Sequence, residues 1–208
     1  MINNNIQLLT ATKNAGKVKE FENLLADLPV DLRSLNDFPN IIEPEETGAT
    51  FAENAQLKAR YYAVQTGLFA LADDSGLEVE ALAGAPGVFS ARYAGANAND
   101  AERIEKLLKE LNATHAKTRR ARFVCAIAIA DARGEIKYQA EASCGGTIAR
   151  TAKGTHGFGY DPIFIPDGFK GTFGELSDDI KQQISHRARA IKKIIQYLHD
   201  FTAVSLDL

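Results

Sequence analysis

Residues 145–166, GGTIARTAKGTHGFGYDPIFIP, constrain the chain more than any other stretch. Five glycines, Gly145, Gly146, Gly154, Gly157 and Gly159, fall within fifteen residues, beside Phe158, Tyr160 and Asp161. Glycine loses the most backbone freedom on folding and gives a core nothing to pack. A segment that carries so many serves one of two ends. Either a partner comes close to its backbone, or it is a tight-turned hairpin corner with its aromatics in the core. On the first reading, rings among glycines point to a flat partner such as a nucleobase.

A chain of 208 residues fits one large domain or two lobes sharing a core. At a net charge of −3 nothing suggests general nucleic-acid binding, which needs a basic stripe. Single lysines and arginines inside motifs are then expected to have local jobs. Cys125 and Cys144 form no CxxC and no disulfide framework, so a reduced, cytoplasmic setting is expected. The segment MINNNIQLLT lacks a basic n-region and a long apolar core, so no signal peptide is expected there. No apolar stretch is long enough to span a membrane.

Apolar spacing predicts a strand at 6–10, a polar turn at 11–16 and a helix built on Val18, Phe21, Leu24, Leu25 and Leu28. A second strand is expected at 30–35, followed by an acidic loop at 37–48. Thr50 and Glu53 form a capping box that opens a helix running to Thr66, with Gly67 as its C-cap. A strand at 68–72 is expected to end at Asp73 and Asp74. Residues 77–82 form a short element of undefined type, and the loop 84–99 is the expected hinge. Asp100 is expected to cap a helix. Strands at 122–130 and 135–143 flank a hairpin turn, 131–134. A single helix, 178–201, capped by Ser177 and burying Ile180, Ile184, Ala188, Ile191, Ile195 and Leu198, closes the pattern. Alternating strands and helices with a late hairpin predict a mixed α/β sheet flanked by helices.

Three places can carry chemistry. The strand–turn–helix at 8–17 sets backbone N–H groups at a helix N-terminus, an anion site to which Thr12, Asn14 and Lys17 add donors. It is not a Walker A loop, because the first glycine is missing and Val18 follows the lysine. Glu43, Glu45 and Glu46 crowd one loop, and Asp73 and Asp74 pair at a strand end. Such carboxylates are either solvated or neutralised by a cation, and Mg²⁺ takes one or two carboxylates plus phosphates and waters. Lys181, His186 and Arg187 lie along the last helix. There His186 and Arg187 are adjacent and cannot share a face. Lys58 alone reads as a surface lysine, and His115, His156 and His199 have no partner at ligand spacing.

Taken together, the segments LLTATKNAGKVKEF, EETGATFAENAQLKA, LADDSGLEVEALAGAPGVFSARYAG, GFGYDPIF and ELSDDIKQQISHRARAI resemble the inosine triphosphate pyrophosphatase family. The resemblance spans nearly the whole chain. It implies one domain of two lobes sharing a long curved mixed sheet, with the active site in the cleft. It also implies a homodimer, Mg²⁺, and non-canonical purine nucleoside triphosphates (ITP, dITP, XTP) as substrates, with no nucleic-acid or membrane partner. The family's phosphate turn falls on Thr12, Lys13, Asn14, Ala15, Gly16 and Lys17. Its metal positions fall on Glu46 and Asp74, the latter also the catalytic proton acceptor. Its remaining substrate contacts fall on Lys58, Ser75, Phe158, Gly159, Tyr160, Asp161, Lys181, His186 and Arg187.

Two departures stand out. Lys13 replaces a glycine usual in the family's turn, and His156 stands where glycine is common. The choice of metal ligands among Glu45, Glu46, Asp73 and Asp74 stays open. Two rival readings also stay open: a related pyrophosphatase for modified pyrimidine nucleotides, and a nucleotide-binding regulator without turnover.

Overall fold

The computed structural model describes residues 6–206. Part of the segment read for targeting signals, residues 1–5, lies outside them. The described chain runs β1 (Ile6–Thr10), α1 (Ala15–Leu25), β2 (Val30–Ser34), α2 (Phe51–Thr66), β3 (Phe69–Val79), α3 (Asp100–Ala113), β4 (Arg120–Ala130), β5 (Ile136–Ile148), β6 (Phe164–Pro166), α4 (Asp178–Ile184) and α5 (His186–Leu206). The strands form one six-stranded sheet in the order β2-β1-β3-β4-β5-β6. β1 pairs parallel with β2 and β3, and β5 pairs antiparallel with β6, so the sheet is mixed, as expected. Among the described residues, no helix is long and apolar enough to cross a membrane.

The chain divides into two compact units. One comprises residues 1–74, 126–141 and 189–208; the other comprises 75–125 and 142–188. β3, β4 and β5 each contribute residues to both. The first unit buries Leu8, Leu9, Phe21, Leu25, Leu71, Ile127, Ile129, Ile191 and Leu198. The second has a core of Leu77, Val79, Ile104, Leu107, Leu111, Phe123, Tyr160, Ile163, Phe164 and Phe173. The loop 84–99, expected as a hinge, lies wholly inside the second unit. It folds partly into a 3₁₀ helix, Gly87–Arg92, and is tied down by Ser90, whose Oγ accepts the Leu77 N–H and donates to the Gly87 carbonyl.

The capping signals hold. Thr50 Oγ1 accepts the Glu53 N–H at 3.2 Å, and Gly67 closes α2 in the left-handed conformation. Asn99, not Asp100, caps α3, through a capping box with Glu102. The motif expected beyond a strand end, 73–76, lies inside β3. The last helix is broken: Ser185 is extended, ψ 158°, and its Oγ accepts the Ala188 N–H, so a new helix starts at His186. After that break Ile194 is buried rather than the expected Ile195, while Ile180 and Ile184 are only half-buried.

Internal packing fixes most glycines of the glycine-rich stretch, though a Cβ on Gly159 would meet nothing within 4 Å. Gly145 and Gly146 belong to β5, and a Cβ on Gly146 would lie 2.3 Å from the Ile165 carbonyl oxygen. At Gly154, φ is +77° and a Cβ would fall 1.8 Å from the Gly174 carbonyl oxygen. Gly154→Ala is therefore expected to destabilise the fold by about 3 kcal/mol or more, because backbone blocks the added atom. Gly168→Ala has the same sign of φ (+87°) but nothing within 4 Å. It should cost about 1 kcal/mol, the left-handed penalty alone. Denaturant unfolding of the two variants checks the difference; equal losses would show that close packing is not what fixes Gly154.

Candidate active site

The first unit assembles the phosphate turn and the acidic groups. Asn14 caps α1 by accepting the Lys17 N–H at 3.1 Å, and Thr12 Oγ1 accepts the Asn14 N–H at 3.2 Å. The turn is thus pinned by its own side chains, and the first-turn amides of Ala15 and Gly16 have no intrahelical acceptor. Lys17 Nζ sits 2.9 Å from Asp73 Oδ2, and the Asp73 side chain is wholly buried. Lys13 Nζ lies 3.4 Å from Glu43, with both groups largely exposed. An exposed pair of that kind contributes about 1 kcal/mol or less.

α2 supplies the other half of this cluster. Asn54 and Lys58 are four residues apart, so they share a helix face. Both reach Asp74 on β3. Lys58 Nζ lies 2.9 Å from Asp74 Oδ1, and Asn54 Nδ2 donates to Asp74 Oδ2 at 3.3 Å. Lys58 Nζ also lies 2.8 Å from Glu46 Oε1. Asn54 Oδ1 accepts the Gly48 N–H at 2.8 Å, and Glu53 Oε2 accepts the Ala49 N–H at 2.7 Å. Helix and acidic loop are therefore sewn together, and Lys58 is no surface lysine.

Burial raises the Asp74 carboxyl above the ordinary carboxylate range, and Glu46 adds to the rise. The Lys58 ammonium opposes both by charge and by hydrogen bonding. Burial disfavours the charge on Lys58 itself, but Asp74, Asp73 and Glu46 outweigh it and hold the lysine protonated. An ammonium gripped at 2.8 and 2.9 Å shows that Glu46 and Asp74 converge on a position a cation can take. Among the described residues, no group of three or more His, Cys, Asp or Glu surrounds a metal position. The donor set fits Mg²⁺, which needs only one or two protein carboxylates when phosphates and waters complete its shell. Glu45 is exposed and Asp73 is wholly buried against Lys17, whereas Glu46 and Asp74 converge on one position, so they are the better-placed pair.

The second unit assembles the aromatic and guanidinium groups. Phe158 is half-buried, with Lys181 Nζ 4.5 Å and Arg187 Cζ 5.8 Å from its ring centroid. Asp161 Oδ2 accepts the Phe158 N–H at 2.8 Å and pairs with Lys181 Nζ at 2.6 Å. Tyr160 OH donates to the Ser90 carbonyl at 3.0 Å. Arg187, only 1 % exposed, donates from Nη2 to Ser75 Oγ at 2.9 Å. His186 stacks on Phe123 at 4.7 Å with a 10° angle between the rings. As their adjacency predicts, His186 and Arg187 point to different neighbours. Both are nonetheless buried, because the break at Ser185 turns the first turn of α5 inward.

The sequence reading missed Asn54. Its signal was available: a polar side chain one turn before Lys58 in a helix whose capping box was already read. It also assigned Asp100 only to helix capping, whereas Asp100 Oδ2 accepts the Gly159 N–H at 2.6 Å.

These features define a mixed-sheet α/β protein with one charge-compensated cluster in each unit, Asp73 and Asp74 with Lys17 and Lys58 in the first and Asp161 with Lys181 in the second. The sequence profile of the Ham1 family matches residues 8–197, and the chain belongs to that family. It is 48 % identical over 189 residues to the dITP/XTP pyrophosphatase of Bacillus anthracis, covering 90 % of this chain and 94 % of that one. It is 50 % identical over 194 residues to the dITP/XTP pyrophosphatase of Desulforamulus reducens, covering 93 % and 96 %. Among solved structures, a HAM1 protein from Coxiella burnetii superposes with a TM-score of 0.86 at 44 % identity, covering 94 % of this chain and 99 % of that one.

The Lys181–Asp161 pair allows a direct test of charge compensation. Both side chains are under a tenth exposed. Lys181→Met leaves the Asp161 carboxylate buried without its ammonium and should destabilise the protein by about 3 kcal/mol. Adding Asp161→Asn removes the stranded charge and should recover part of that loss. Urea unfolding of the parent, single and double variants checks this; strictly additive losses would contradict the coupling.

Proposed function

We propose that the chain is a Mg²⁺-dependent pyrophosphatase for non-canonical purine nucleoside triphosphates, dITP and XTP among them. The bond between the α- and β-phosphates is cut, giving a nucleoside monophosphate and pyrophosphate. The observation that carries this reading is the extent of the match: about half of all residues are identical to those of dITP/XTP pyrophosphatases over nine-tenths of the chain. The cytoplasmic location and homodimer that the resemblance implies belong to the same proposal.

The residues present suit the reaction. Phosphoryl chemistry asks mainly for positioning and charge neutralisation. The α1 N-terminus and Lys17 offer donors to phosphate oxygens. Glu46 and Asp74 would hold Mg²⁺, which when bound supplies further positive charge to the phosphates. Asn54 and Lys58 fix the two Asp74 oxygens. With both oxygens fixed, Asp74 is suited to orient a water and take its proton. Phe158 offers a face on which a base can stack. Arg187 carries only donors, so it suits the O6 acceptor of hypoxanthine or xanthine and disfavours adenine's 6-amino group. The two sets meet in the sequence at Asp74 and Ser75, consecutive residues of β3.

Pyrophosphate release is expected from dITP and XTP at least about a hundredfold faster than from ATP or GTP, as polar base discrimination allows. Comparable rates on ATP and dITP would refute the base-recognition half, and release of single phosphates would refute α–β cleavage. Asp74→Asn should lower kcat by about a hundredfold or more while the variant stays folded under assay conditions, because Glu46 remains as a counter-ion for Lys58. Turnover should vanish with a chelator and return on adding Mg²⁺; full activity in chelator would remove the metal from the proposal.

A further inference from the structure

We propose that Asp100 is a positioning residue for the base-binding turn: its carboxylate holds the Gly159 amide and so sets where the Phe158 ring stands. The inference rests on the proposed nucleotide reading and adds a residue to it. Helix α3 does not need Asp100 as a cap, because Asn99 Oδ1 already accepts the Glu102 N–H at 3.0 Å and Glu102 Oε2 accepts the Asn99 N–H at 2.7 Å. Both Asp100 oxygens are committed elsewhere. Oδ2 accepts the Gly159 N–H at 2.6 Å, across 59 residues of chain, and Oδ1 pairs with Arg103 Nη1 at 2.6 Å. Arg103 in turn donates to the Ala98 carbonyl, which braces the carboxylate from behind.

The turn at 158–161 is also anchored at the Asp161 carbonyl, which accepts the Gly174 N–H at 3.0 Å, and at the Phe158 ring, over which Lys181 and Arg187 sit. Asp161 secures its two ends from within, by accepting the Phe158 N–H, and is held by Lys181. Tyr160 OH is held by the Ser90 carbonyl. Between these lies the Gly159 peptide, directly after the ring-bearing residue, and Asp100 is what holds it. A hydrogen bond from an amide to a carboxylate is stronger than one to a neutral acceptor. It acts one residue from Phe158, so its loss frees the peptide that sets the ring's tilt. The consequence falls on base binding and leaves the residues proposed for phosphate, which belong to the other unit, untouched.

The test compares the parent with Asp100→Ala and Asp100→Asn. Both variants lose the ion pair to Arg103, but asparagine keeps an oxygen acceptor for the Gly159 amide. KM and kcat are measured for dITP and for deoxyribose 5′-triphosphate, which lacks a base. Amide hydrogen exchange of residues 155–161 is followed in the same samples. Asp100→Ala should raise KM for dITP about tenfold, the scale of one lost charge-assisted hydrogen bond, with kcat within about twofold. Its KM for the base-less triphosphate should not move, and exchange at Gly159 should accelerate. Asp100→Asn should restore most of the KM and of the protection. Unchanged KM and exchange in Asp100→Ala, or equal rises for both substrates, would overturn the proposal. A parent that releases no pyrophosphate from dITP would instead defeat the nucleotide reading, and the exchange data would still decide whether Asp100 holds the turn.

Discussion

Buried carboxylates set the terms for the rest of this molecule. The side chains of Asp73, Asp74 and Asp161 are 0, 10 and 3 % exposed, and each faces a lysine within 3 Å. Burying an ion without a partner costs several kcal/mol, so each pair must be closed for the fold to stand. The three lysines come from three helices: Lys17 from α1, Lys58 from α2 and Lys181 from α4. Each helix is thereby held to its unit by a charge as well as by its apolar face. The same groups remain chemically competent, because a lysine held by a carboxylate in a low-dielectric setting is a fixed donor rather than a mobile surface charge. Stability and part of the site are built from one set of contacts, which is why Lys17, Lys58, Asp74 and Lys181 lie inside elements, while Glu46 and Phe158 stand on loops.

Much of this was legible where local rules decide. The capping box at Thr50 and Glu53, the Gly67 stop and the 131–134 turn depend on a few neighbouring residues, and all appear as read. The site residues grouped by the resemblance also come together within their own units: Glu46, Lys58 and Asp74 in one, Ser75, Phe158, Asp161, Lys181 and Arg187 in the other. What failed depended on tertiary packing. Two consecutive aspartates read as the end of a strand, since charge seldom enters a sheet. They lie inside β3 because Lys17 and Lys58 compensate them. The apolar spacing of 178–201 runs through Ser185 without a proline or glycine to mark a break. Only the burial of Lys181, His186 and Arg187 on both sides of Ser185 explains why the chain turns there. The sequence left the glycines open between room for a partner and a tight corner, and at Gly146 and Gly154 the close neighbour is the protein's own backbone.

The charge balance of the first unit bears on why a divalent cation is part of the proposed chemistry. Lys17 and Lys58 carry two positive charges, and Asp73, Asp74 and Glu46 carry three negative ones, so the linked cluster is left at −1. A triphosphate brought to such a cluster meets net repulsion, even though lysines and helix amides are present. Both lysines are already engaged with carboxylates and have little attraction to spare. A divalent cation between Glu46 and Asp74 would turn the balance to +1. It would also relieve Lys58, which now serves as the counter-ion of that same pair, to face an incoming anion. A monovalent ion would bring the cluster only to neutrality, which is a weak reason for a polyanion to stay. On the proposed reading the arrangement would couple substrate and metal: each would make the other's binding more favourable, and neither would be well served by the cluster alone.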